Sequence, residues 1–180
     1  MAMSQKQFLI TYLADSSIDD AGDRELRGLF STCFTKPGDE VFRTRRYWRE
    51  PYKHRWVIRN ERGELIAHVG VHEKCIEAKG RMRMFRIGGI CEVCVHPDCR
   101  GRGCVKEMLE CVHSWLSANQ FPFSVLFGDP KVYGSSGYVE VDNLRLNEDG
   151  KGWKPVKGMM KQMTDIHWPD GDVHLAGLKF

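Results

Sequence analysis

No run of apolar residues in these 180 positions approaches the roughly 20 needed to cross a bilayer. The opening residues, Met-Ala-Met-Ser-Gln-Lys-Gln, hold no apolar core of the kind that directs export, which predicts a cytoplasmic protein. There is no low-complexity tract and no internal repeat. At 42% apolar and 28% charged residues, an ordinary globular chain is expected. An excess of one charge is missing as well: a net charge of +3 is too small to imply nucleic acid by itself. The length fits one domain over residues 1–180, with enough chain for a substantial core.

Cysteine is not scarce, but its seven positions are odd in number, and with no export signal a disulfide framework is the poorer reading. Five of them, Cys91, Cys94, Cys99, Cys104 and Cys111, crowd one stretch. A zinc site is not expected there. Cys91 and Cys94 fall in a strand pattern, where positions three apart point to opposite faces. Cys104 and Cys111 are two helical turns apart, about 10 Å, too far to share an ion. Small buried hydrophobes are the preferred reading.

Periodicity sets out the elements. Phe8 to Leu13 reads as a strand. Ser16 to Asp20 offers helix caps, and Leu26, Leu29, Phe30, Cys33 and Phe34 follow at spacings of three and four, one apolar helical face. A second short helix is predicted between Asp39 and Tyr52, stopped by Pro51. Residues 53–60, 64–77 and 81–95 read as a three-strand meander with turns at Glu61-Arg62-Gly63 and Ala78-Lys79-Gly80. Gly88-Gly89 suggests a bulge in the third of these. Val105, Met108, Leu109, Val112 and Leu116 mark a helix ending near Asn119, and Phe123 to Phe127 is an unbroken apolar run suited to a central strand. A short helix through Lys131 to Ser135, a strand from Tyr138 and two further strands near 158–163 and 172–178 complete the pattern. The fold class is α/β (α+β): a mixed, mostly antiparallel sheet flanked by helices, with one parallel crossover over 90–127.

The residues joining strand to helix are Val95-His-Pro-Asp-Cys-Arg-Gly-Arg-Gly-Cys-Val105. A strand that stops at a glycine-studded turn opening a helix leaves several N–H groups aimed at one point, with the helix dipole adding positive charge. Arg100 and Arg102 suit such an anion socket to phosphate. A solvated turn and an RNA-contacting Arg-Gly element are the alternatives. The strand before the turn and the amphipathic helix after it favour a phosphorylated cofactor.

Val95-His96-Pro97, Arg100-Gly101-Arg102-Gly103, the buried strand at Phe123 to Phe127, Tyr133 and Gly137-Tyr138 together resemble the GCN5-related N-acetyltransferase (GNAT) superfamily. The resemblance follows the order of elements over most of the chain and is strongest between about 64 and 141. One departure is Val105, where the family usually has a small residue. The resemblance implies a site for acetyl-CoA, the cosubstrate. Its pyrophosphate would rest on the backbone N–H groups of Arg100, Gly101, Arg102, Gly103, Cys104 and Val105. Its pantetheine arm would pair like an extra strand with Val93 and Val95. The tail from Trp168 and the run Ile66-Ala-His-Val-Gly-Val are similar to parts of the aminoglycoside 2′-N-acetyltransferases.

Acyl transfer to an amine needs a neutral amine, a polarised thioester carbonyl and a proton for the departing thiolate. Tyr133 matches the family's general acid; packing against Tyr138 is the alternative. Glu92, on the strand leading into the turn, is the candidate base, acting through a water, and a solvent-facing or Arg-paired carboxylate is the competing reading. No histidine is assigned a catalytic part: His68 and His72 share a strand face but stand about 13 Å apart, and His96 helps to shape the turn. The reaction expected is acetyl transfer to a primary amine of a small molecule by direct attack in a ternary complex. A covalent route through Cys91, Cys94 or Cys99 lacks a partnered base. The alternatives are a longer-chain acyltransferase, since the nodulation-factor acyltransferases have a similar layout, and a non-catalytic CoA- or RNA-binding module.

Two charge patterns remain. Arg43, Arg45, Arg46, Arg49, Lys53, Arg55, Arg59 and Arg62 lie among Tyr47, Trp48, Tyr52 and Trp56, and read as a solvated, snorkelling face. Binding of nucleic acid or of the cofactor's 3′-phosphate is the alternative. The last third is acidic, with Glu140, Asp142, Glu148, Asp149, Asp165, Asp170 and Asp172; facing the acceptor, these would suit a polyamine-like or aminoglycoside-like amine. No membrane partner is expected, and a homodimer is left open.

Overall fold

The structure, a computed structural model, describes residues 8–79 and 83–180. Part of the expected turn at 78–80, and the strand start at Arg81, lie outside the described residues. The internal contacts group into two compact units, one of Met1–Gly70 with Glu92–Cys111, the other of Val71–Cys91 with Val112–Phe180.

In the first unit, β1 (Ile10–Ala14) pairs antiparallel with β2 (His54–Arg59), Ile10 opposite Ile58. β2 in turn pairs with β3 (Leu65–Ala78). Helix α1 (Asp20–Cys33) begins where Asp19 accepts a hydrogen bond from the Gly22 N–H at 2.8 Å, and so satisfies one of the donors that every helix start leaves over. Its periodic face buries Leu26, Leu29 and Phe30, each such side chain contributing about 1.5–3 kcal/mol by leaving water. Phe30 meets Phe42 edge-on at 5.2 Å and the ring of His68 at 4.7 Å. The predicted second helix is reduced to one 3₁₀ turn, Asp39–Arg43. Beyond it the Arg45 guanidinium donates to the carbonyls of Tyr47 and Trp48, and Pro51 has no N–H that a helix could have turned to Tyr47.

In the second unit, β5 (Phe123–Leu126) is buried along its whole length and runs parallel to β4 (Arg83–Val95), Ile87 opposite Phe123 and Gly89 opposite Val125. This is the expected crossover, and α2 (Cys104–Ala118) lies between the two strands in the chain. Met108, Leu109, Val112 and Leu116 form its buried stripe, as the spacing predicts, but Val105 is only half-buried and Cys104 begins the stripe in its place. β9 (Gly158–Gln162) pairs antiparallel with β5 and with β6 (Val139–Val141). β10 (Val173–Leu175) is antiparallel to β3 but parallel to β7 (Leu144–Leu146), a second parallel pair that the sequence did not signal, and β7 also pairs with β8 (Lys154–Pro155). The class is thus mixed α/β with antiparallel pairing dominant, as expected.

The glycine pair in β4 is not where the strand departs from regularity. Gly88 and Gly89 hold regular register with Ser124 and Val125. Their missing side chains make room: a Cβ on Gly88 would stand 2.4 Å from Leu116 Cδ2, and one on Gly89 2.6 Å from Phe180 Cζ. The distortion is three residues further on, at Glu92, whose φ is +40°. For a residue with a side chain that is the sparsely populated left-handed region.

Candidate active site

β4 ends at Val95 and runs into a 3₁₀ turn, Pro97–Cys99, in which His96 Nδ1 accepts from the Asp98 N–H at 3.3 Å. This is the shaping part expected of His96. Arg100 folds back, its Nε donating to the Val95 carbonyl at 3.2 Å. Gly101 and Gly103 then take φ of +77° and +83°, which glycine adopts without cost. Gly101, Arg102 and Gly103 are exposed. The first main-chain bond of α2 runs from the Glu107 N–H to the Gly103 carbonyl. The N–H groups of Cys104, Val105 and Lys106 therefore precede it and have no acceptor within the helix. An exposed, left-handed glycine turn thus precedes a 15-residue helix, the backbone geometry that the residues 100–105 predict.

The strand leading into that turn is supported from β3. The His96 N–H bonds the Ile66 carbonyl at 2.8 Å. Main-chain groups alternate sides along a strand, so those of Val93 and Val95 face the other edge of β4. The register of β4 with β5 stops at Gly89. The Val95 carbonyl is also taken, by Arg100 Nε and by the Cys33 thiol at 3.4 Å.

Glu92 is half-buried, and its Oε1 accepts from the Trp48 N–H at 3.0 Å. The irregular stretch after the Asp39–Arg43 turn thus lies against this carboxylate, an association no spacing could reveal. The Glu92 carbonyl accepts from His68 Nδ1 at 2.8 Å. His68 and Arg55 are both fully buried, and sequence reasoning assigned neither a place in the site. Arg55 donates to Asp15, to the Tyr52 hydroxyl and to the Arg46 carbonyl. Arg46 bridges Asp15 and Asp23, and Arg59 pairs with Glu25. Arg46 and Arg55 thus depart from the snorkelling face expected and join an ion-pair network around a buried guanidinium, while Arg43, Arg49, Lys53, Arg59 and Arg62 stay exposed. Burial works to raise the Asp15 carboxyl, but the hydrogen bonds from Arg46 and Arg55 outweigh it and hold it below the usual value.

Tyr133 closes α3 (Pro130–Tyr133), capped by Asp129 through the Lys131 N–H at 2.9 Å. It is half-buried, and a Cβ on Gly128 would stand 2.3 Å from its ring. The ring lies edge-on to Tyr138 at 6.3 Å, the packing contact that the sequence offers as the alternative. The Tyr138 hydroxyl bonds His113 Nε2 at 2.9 Å and Ser124 Oγ at 2.7 Å. Burial raises the Tyr138 phenol and, helped by the charge of Lys161, lowers His113 to about 4.

All seven cysteines are thiols. Among the described residues no three or more His, Cys, Asp or Glu side chains gather as a metal would need, and no helix is long and apolar enough to cross a membrane. Burial pushes the Cys94 thiol up, away from nucleophilic use, while its hydrogen bond to Cys33 and the charge of Arg100 lower Cys33. The acidic C-terminal residues are partly spent locally, Asp172 on Arg145 and Asp149 on Lys154.

A parallel crossover whose first strand opens onto a glycine turn and a helix, set in a mostly antiparallel sheet, defines a mixed α/β protein. Residues 17–141 match the acetyltransferase (GNAT) domain, and the chain belongs to that family. Solved structures share the fold. A GNAT family N-acetyltransferase from Escherichia coli in complex with CoA superposes with a TM-score of 0.66 at 14% identity, over 96% of this chain and 93% of that one. A GNAT family acetyltransferase from Brucella melitensis in complex with acetyl-CoA gives 0.60 at 14% identity, over 92% and 95%. An acyl-CoA N-acyltransferase from Pseudomonas aeruginosa gives 0.58 at 17%, over 86% and 99%. No curated protein sequence matches the chain.

Proposed function

We propose that this GNAT-family protein transfers an acetyl group from acetyl-CoA to a primary amine of a small molecule, in a ternary complex, and that residues 1–180 work as one catalytic domain. The observation that carries the reading is the left-handed Gly101 and Gly103 turn ahead of α2, whose first N–H groups have no partner within the helix. It fits a diphosphate: the turn of Gly101, Arg102 and Gly103 is exposed, Arg100 and Arg102 bring positive charge, and no side chain branches from either glycine. The residues that would hold the cosubstrate are Arg100 to Val105 for the pyrophosphate and Val93 and Val95 for the pantetheine. The structures with CoA and acetyl-CoA named above support this assignment by analogy of fold.

Bound acetyl-CoA supplies an activated acetyl group as a thioester. Glu92 accepts the proton of the incoming ammonium at its carboxylate through a water, so the amine attacks as the neutral base. The Trp48 N–H on Oε1 keeps that carboxylate in one orientation. Tyr133 gives its phenolic proton to the departing sulfur; with an ordinary pKa of about 10, a phenol stays protonated at neutral pH.

A panel of amines, polyamines and aminoglycosides with acetyl-CoA, followed by thiol release, tests the reading. We expect release with at least one amine. Tyr133→Phe and Glu92→Gln should each lower turnover by about 10²–10⁴-fold while acetyl-CoA affinity holds. Acetyl-CoA bound without thiol release from any amine would favour the non-catalytic binding module instead.

A further inference from the structure

The strained peptide at Glu92 is held by a side chain. In a regular ladder its carbonyl would meet a main-chain N–H of β3; here it meets His68 Nδ1 at 2.8 Å. The imidazole is fully buried, with Phe30 edge-on at 4.7 Å and Tyr52 at 6.2 Å. Its other nitrogen, Nε2, stands 3.2 Å from Arg55 Nη1. A guanidinium has no acceptor and does not lose its proton in a protein, so Arg55 is the donor and Nε2 the acceptor. The ring hydrogen then sits on Nδ1, where it is donated to the Glu92 carbonyl. The tautomer follows from chemistry rather than from choice.

Arg55 is held just as firmly. It is fully buried and bonds Asp15 Oδ1 at 2.9 Å, the Tyr52 hydroxyl at 2.5 Å and the Arg46 carbonyl at 3.1 Å. Moving it would leave a buried charge uncompensated. Protonating His68 would set a second positive charge against Arg55 and turn an acceptor into a donor; burial and that charge hold the imidazole neutral, far below its ordinary value.

We infer that His68, locked by Arg55 as the Nδ1–H tautomer, is a positioning residue that holds the left-handed peptide of Glu92, and so sets where the Glu92 carboxylate and the Val93–Val95 edge stand. This rests on the assignment of Glu92, Val93 and Val95 made above. A histidine that merely fills the core would affect stability alone.

The first test uses the wild-type protein. A ¹⁵N spectrum of the histidines between about pH 5 and pH 8, where a free imidazole changes charge, should show His68 protonated at Nδ1 only and unchanged throughout. An Nε2–H tautomer, or titration in that range, would overturn the inference. The second test compares two variants by acetyl-CoA affinity without amine and by melting temperature. His68→Asn keeps a donor where Nδ1 was but offers Arg55 nothing. His68→Gln reaches the place of Nε2, keeps an acceptor for Arg55 and loses the donor to Glu92. The loss of that hydrogen bond should weaken acetyl-CoA binding about tenfold in His68→Gln, while His68→Asn stays within about threefold despite lower stability. Equal affinity of both variants with wild type, or equal loss in both, would overturn the inference. Glu92→Gln separates the two claims. Full turnover in that variant, with weakened binding in His68→Gln, removes Glu92 as base and leaves His68 in place. Lost turnover with unchanged binding in His68→Gln does the reverse.

Discussion

Arg55 shows at the scale of one residue how much a side chain's worth depends on its surroundings. It sits among basic neighbours that alternate with aromatics, and nothing in the letters singles it out. Yet its side chain is fully buried, with Asp15 as its counter-charge at 2.9 Å. Removing that carboxylate would leave a buried guanidinium without its counter-charge and leave Arg46 with Asp23 alone. Asp15→Ala should therefore lower unfolding free energy by about 3–5 kcal/mol in urea titrations; a change under about 1 kcal/mol would mean that water repairs the loss. Glu92 and Tyr133 stand out as candidates because one lies on the strand leading into the glycine turn and the other follows the buried strand β5. His68 was not, because a histidine on a strand face carries no mark of which partner its ring will find.

Among the elements, β4 carries the most informative mismatch. Two adjacent glycines in a strand signal a bulge, but here they serve close packing against Leu116 and Phe180. Gly88→Ala should cost about 1–3 kcal/mol through the clash with Leu116. Leu116→Ala in the same chain should recover part of that loss, a non-additivity that a double-mutant cycle reads directly. The turn before α2 behaves differently. Cβ atoms on Gly101 and Gly103 meet nothing within 4 Å, so alanine there is strained by φ alone, at about 1–2 kcal/mol each. Gly101→Ala and Gly103→Ala should weaken acetyl-CoA binding about tenfold or more while shifting the melting temperature by only a few degrees. Unchanged affinity in both would remove the turn from the cofactor site. This element was legible because glycine at those two positions is dictated by local backbone geometry.

For the whole molecule, acid is the condition that separates the folded chain from the unfolded one. His68 and His113 are held neutral when folded, the latter down to about 4, whereas in the unfolded chain both take a proton below about pH 6.5. Their depressed values therefore contribute stability that is full above about pH 6.5 and is lost as the pH falls toward about 4. Asp15 acts in the same direction lower down, its contribution fading as the pH drops below its ordinary 3.8. Urea midpoints should fall steadily between about pH 7 and pH 4, and His113→Gln should flatten that slope. A slope unchanged by the substitution would mean that His113 is protonated in the folded state after all.

What the letters determined by themselves is whatever depends on neighbours along the chain: the amphipathic stripes of α1 and α2, the apolar run of β5, and the left-handed glycine turn ahead of α2. Period and turn chemistry act over a few residues, so they can be read without a fold. What the tertiary structure decided is everything set by distant partners. The pairing of β7 with β10, the Trp48 N–H on Glu92, and the relay from Asp15 through Arg55 and His68 to a turned peptide join positions tens of residues apart. Those bonds exist because burial leaves each polar group no water to fall back on, and which group answers it is settled only when the chain has folded.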